Sequence, residues 1–163
     1  MGLARPAAAI DHGFGLERPA EAHERLRSAA VTDLLSDPPS PLDAAIGLLV
    51  TELLAGGVVL RLDPPTAALG GEQPRPFLHG GTLATCVDTA GWYAVAHAHP
   101  GEWIAVDLRC DFLRLAAPVP HRVVGRCLTA GRTLATADVE ITPWDEPDRL
   151  VAVGRARYMR VSA

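Results

Sequence analysis

The chain has 163 residues, 48% of them hydrophobic, which suffices for one ordinary core and is too short to expect two domains. Its net charge is -4 and its 15 basic residues are all arginine, with no basic patch, which argues against nucleic acid as a partner. No apolar run approaches the roughly 18 residues of a membrane helix, and the N-terminus lacks a sustained signal-peptide core, so a cytoplasmic protein without membrane association is expected. Cys86, Cys110 and Cys127 are odd in number and show no CxxC spacing, which predicts reduced, packed thiols.

Residues 1–45 read as an N-terminal extension, the first 40 or so of them expected to be dispensable for folding. "RPAEAHERLRSAAVTDLL" has helical spacing, and "SDPPSPLD" breaks it with three prolines. From Ile46 the pattern changes. "IGLLVTELLAGGVVLRLDPP" predicts an antiparallel hairpin around Gly56-Gly57, followed by a Pro- and Gly-rich loop over 64–76. Gly80-Gly81 then lead into "TLATCVDTAGWYAVAHA", of helical length and apolar or small around most of its circumference, hence a buried helix. After Pro100-Gly101 come four strand-like runs, "EWIAVDLRCDFLRL", "HRVVGRCLTA", "RTLATADVEITPW" and "RLVAVGRARYMRV". Two strands, one buried helix and four strands describe an antiparallel sheet wrapped around a central helix, an α+β arrangement over residues 46–163.

Within the helical segment Asp88 is the sole carboxylate, and no Lys or Arg is near in sequence to pair with it. Burying such a charge unpaired is costly, so Asp88 is either an exposed helix residue or a working group. The double glycine lets a ligand approach the backbone, while the first turn offers unsatisfied N–H groups and the positive end of the helix dipole. A carbonyl oxygen or oxyanion fits there. Yet Asp88 lies roughly 12 Å along the helix axis from Gly80 by helical rise, too far for one carbonyl to touch both. Ser28, Ser36, Ser40 and Ser162 all lie outside the core segments and form no GxSxG elbow, which disfavours a serine hydrolase.

The element order, with "HGGTLATCVDTA", "VDLRCDFLRLA", "AGRTLATADVEI" and "LVAVGRARYM", resembles the hotdog-fold acyl-CoA thioesterases of the phenylacetic-acid-degradation (PaaI-like) type over roughly residues 46–161. The resemblance implies hydrolysis of an acyl-CoA or acyl-carrier thioester by a homodimer or homotetramer, with no metal or organic cofactor. It assigns the carbonyl-polarising N–H to Gly80, beside Gly81, and the nucleophile or general base to Asp88 of the partner subunit. His79, nine residues before Asp88, either fixes the helix start or holds substrate.

This chain departs from the family pattern at two positions. Gln73 stands where the family often has Asn, and Ala105 where it often has Ser or Thr; Gln keeps the amide, whereas Ala cannot hydrogen-bond through its side chain. Arg114 and Arg132 are candidates for the coenzyme A phosphates, with solvated strand-edge arginines as the plainer explanation. His97 and His99 lack an acidic or Cys partner for a metal. Two other readings stay open: a non-hydrolytic acyl-thioester binding protein, and a hotdog dehydratase or hydratase.

Overall fold

The computed structural model describes residues 34–35, 39–71 and 75–161. The helical spacing expected over residues 18–35 therefore falls outside the described residues, save for Leu34 and Leu35. Helix α1 (Pro41–Ile46) begins where the Ser40 hydroxyl accepts the Asp43 N–H and Pro41 occupies the first position, which needs no hydrogen-bond donor. Strands β1 (Leu48–Leu54) and β2 (Gly57–Leu62) form the hairpin expected around Gly56-Gly57. Beyond it, β3 (Leu69–Gly70) and β4 (Phe77–Leu78) pair. At two residues each, they are too short to leave a periodic pattern, and the sequence reading has only a loop through most of this region.

Helix α2 (Gly80–Ala98) and strands β5 (Trp103–Phe112), β6 (His121–Ala130), β7 (Leu134–Pro143) and β8 (Ala152–Arg160) coincide with the expected segments. Six strands form one antiparallel sheet in the order β1-β2-β6-β7-β8-β5. The helix thus carries the chain from one side of the sheet to its far edge, so among the described residues β5 pairs with β8 alone.

Helix α2 turns Leu83, Val87, Ala90 and Ala94 onto Val58, Leu60, Val123, Val139 and Ile141 of the sheet, all buried. Each buried Val or Leu contributes about 1.5–3 kcal/mol relative to exposure, so this contact supplies the main driving force for wrapping the sheet around the helix. The approach is close because two strand positions lack side chains. A Cβ at Gly125 would collide with the Ala90 carbonyl, and one at Gly154 with the Val87 side chain. Leu83, Val87, Ala90 and Ala94 supply the helical period of that contact, and small partners across the interface set its depth.

Candidate active site at the start and middle of helix α2

His79 caps α2. Its Nδ1 accepts the Gly81 N–H at 2.9 Å, which leaves the proton of a neutral ring on Nε2. The His79 carbonyl accepts from the Thr82 and Leu83 N–H groups, so the Gly80 N–H is the donor of this turn without an acceptor among the described residues. Gly80 lies against the Phe112 ring, 3.3 Å from where its Cβ would stand, which sets the helix start level with the end of β5. An N–H aimed outward at the positive end of a 19-residue helix is a ready donor for a polarised carbonyl oxygen.

Asp88 sits two turns further along, half-buried, and no side chain among the described residues hydrogen-bonds its carboxylate. Its backbone carbonyl accepts from the Tyr158 hydroxyl at 2.8 Å, and Tyr158 pairs with Ala105 of β5. Asp88 and Ala105 therefore share one level of the sheet, near the start of β5, while Gly80 stands at the other end of that strand. Burial first, and then the negative charge of Asp43, hold the Asp88 carboxyl above the usual carboxylate range. Burial and the charge of Asp88 raise the Tyr158 phenol, so it stays protonated as a donor. Cys86, two residues before Asp88, is buried with its thiol pushed up to about 12 by desolvation first, then by Asp43 and Cys110, which leaves little thiolate for a Cys-based mechanism.

Residues 76–152 match the thioesterase superfamily. A solved structure from the thioesterase superfamily is 31% identical, with 85% of this chain and 98% of that one covered and a TM-score of 0.69. The chain belongs to the thioesterase superfamily. A mutant of the phenylacetic acid degradation protein PaaI from Thermus thermophilus is 25% identical, covering 75% of this chain and 100% of that one at a TM-score of 0.63. The E. coli PaaI protein from the phenylacetic acid degradation operon shares the fold at 24% identity, 75% and 85% coverage and a TM-score of 0.66. No curated protein matches the sequence. The fold is accordingly the hotdog fold of PaaI type, and thioester hydrolysis is the general reaction class.

The other residues expected at a thioesterase site are dispersed. Gln73 lies outside the described residues. Ala105 is exposed on β5, beside an irregularity in the pairing with β8 between Ala105 and Asp107. Arg114 follows β5 and donates to the Leu150 carbonyl, whereas Arg132 sits in the β6–β7 turn next to Thr133, whose carbonyl binds the far end of β8. The two arginines thus stand at opposite ends of a sheet about 30 Å long, and in one subunit they cannot hold the same phosphate group. His97 Nε2 faces the Leu54 carbonyl at 3.1 Å. Among the described residues no three His, Cys, Asp or Glu side chains gather as a metal site, and no helix is long and apolar enough to cross a membrane.

Residue-level reading of the sequence missed Tyr158, Phe112, Thr89 and Asp43. Asp43 had a local signal: Ser40-Pro41-Leu42-Asp43 has the spacing of a helix cap, with an acid at the third helical position, although its prolines read first as a break. Tyr158 and Phe112 lie in strands, and nothing local marks which strand residues meet the helix.

Proposed function

We propose that this protein hydrolyses an acyl-CoA or acyl-carrier thioester at sites shared between two subunits, the partner meeting it along β5. The observation that carries the reading is the separation of levels within one chain. Gly80 stands at the Phe112 end of β5 and Asp88 at the Ala105 end, so one carbonyl cannot reach both within a single chain. Antiparallel pairing of β5 with a second β5 brings the Asp88 level of one subunit opposite the Gly80 level of its partner. Strand β5 suits such pairing: it is an edge strand with Ile104, Val106, Leu108 and Phe112 exposed.

In that arrangement the thioester carbonyl oxygen takes the Gly80 N–H of one subunit, and the carbonyl carbon faces Asp88 of the other. Either the Asp88 carboxylate attacks and forms a mixed anhydride that water then opens, or it takes a proton from water whose oxygen attacks directly. Both routes break the C–S bond and release the thiol. The negative charge developing on the carbonyl oxygen meets a preorganised donor and the helix dipole. His79 fixes that donor by capping α2, and Gln73 would orient the water or carbonyl. Arg114 and Arg132 remain candidates for the coenzyme A phosphates, from different subunits.

A second reading, an acyl-thioester binding protein, is favoured by Ala105, which supplies no hydroxyl where the family often has one. A hydrolysis screen separates the two, using short, long and aromatic acyl-CoAs and acyl-carrier thioesters, with aromatic acyl-CoAs first because of the PaaI neighbours. Turnover above the buffer rate, lost by about a hundredfold or more in Asp88→Asn with binding retained, supports the enzyme. A flat screen with measurable acyl-CoA binding supports the binder.

A further inference from the structure

Asp43 is 5% exposed, yet it belongs to α1, within the N-terminal extension and outside the matched superfamily segment. A carboxylate there needs donors, and it has two. Its Oδ1 accepts the Thr89 hydroxyl at 3.0 Å and its Oδ2 the Ser40 hydroxyl at 2.7 Å. Thr89 follows Asp88 directly, and a hydrogen bond across 46 residues of sequence therefore ties α1 to the turn of α2 that carries the carboxylate.

We propose that Asp43 is a positioning residue for the reaction, holding the Asp88 turn of α2 through Thr89 and acting on the Asp88 carboxylate with its own buried charge. This rests on the reading of Asp88 as nucleophile or base. The surroundings leave Asp43 with little competition. Tyr158 of β8 is a neutral donor to the Asp88 backbone; Cys110 of β5 and Cys127 of β6 are held as thiols by burial first, with Asp111 adding to the effect at Cys110. The core residues that β2 and β7 contribute are Val58, Leu60, Leu62, Ala135, Ala137, Val139 and Ile141, none of them titratable. Within α2, Cys86 is a buried thiol, raised partly by Asp43, while His79 caps the helix start and His97 faces Leu54 near its end. Among the described residues Asp43 is the charged side chain that bears on Asp88, and it does so in the same direction as burial.

The consequence is a pH dependence set from outside the superfamily segment. With its charge removed, Asp88 loses its proton at lower pH, and the acid limb of kcat/KM follows. The test compares wild type, Asp43→Asn and Thr89→Val in the full chain, using the acyl-CoA that the screen finds turned over. A substrate-free titration of the Asp88 carboxyl carbon by NMR accompanies it. Asp43→Asn should shift both limb and titration to lower pH, a change a purely structural role would not produce. Thr89→Val keeps both charges and should lower kcat by about threefold or more at a KM within about twofold of wild type. Unmoved limb and titration in a folded Asp43→Asn overturn the proposal. Should that variant not fold, a Thr89→Val protein with wild-type kcat and KM overturns it. The titration needs no turnover, so a wild-type acid limb that does not track Asp88 marks the failure of the catalytic reading instead.

Discussion

The two edges of the sheet are built differently. Strand β1 has seven residues, an irregularity between Val50 and Glu52, the charge of Glu52, and α1 packed against it. Strand β5 has ten residues and exposes Ile104, Val106, Leu108 and Phe112, and one of its sides has no strand among the described residues. A short, charged, covered edge resists pairing, and a long apolar one invites it. The polar groups of the candidate site also belong to the second edge: Gly80 lies against Phe112, and Asp88 is joined through Tyr158 to the level of Ala105. The lesson is that one edge is finished within the subunit and the other is left open, and it is at the open edge that we propose a second copy pairs.

The strongest way to break this comparison is to place a charge on each edge in turn. Leu108→Lys puts an ammonium where the partner's strand would lie and should give a monomer by sedimentation, with kcat/KM reduced by about a hundredfold because the site loses half its groups. Glu52→Lys on β1 should leave both the assembly and the rate near wild type. A Leu108→Lys monomer with full activity would end the shared-site reading.

A smaller effect is expected at Ala105. Ala105→Ser supplies a hydroxyl at the open edge, on the level of Asp88, and should raise the hydrolysis rate by a few-fold if the site lacks only that donor. No change, or a loss, would mean that Gln73 already orients the water and that the extra hydroxyl competes with it. Steady-state kinetics on the purified protein distinguishes these outcomes.

The smallest effect concerns stability. Because folding raises the Asp88 pKa, the folded state binds that proton more readily than the unfolded chain. Wild-type stability from this group therefore falls as pH rises through the interval from the ordinary carboxylate range up to the folded value, and the penalty persists above it. Asp88→Asn removes the penalty. Its Tm should exceed that of wild type at neutral pH, and the difference should vanish below about pH 3, where the Asp88 carboxyl is protonated in the folded and unfolded chain alike. Thermal melts at several pH values check the trend.

The sequence alone determined the order of the six main strands and the central helix, and the place of the helix-start donor. Alternating runs and a helix apolar around most of its circumference are local patterns, imposed by the two-residue and 3.6-residue periods of the backbone. The double glycine and the isolated Asp88 were legible for the same reason, since each departs from its neighbours within a few residues. Only the tertiary structure decided which strand became the open edge, because sheet order depends on where α2 crosses. The crossing also placed Arg114 and Arg132 at opposite ends of the sheet, although eighteen residues of sequence give no sign of that separation. Likewise it brought Tyr158 to Asp88 across 70 residues, and Asp43 to Thr89 across 46. Contacts at such separations are set by packing of the whole core, and no local period records them.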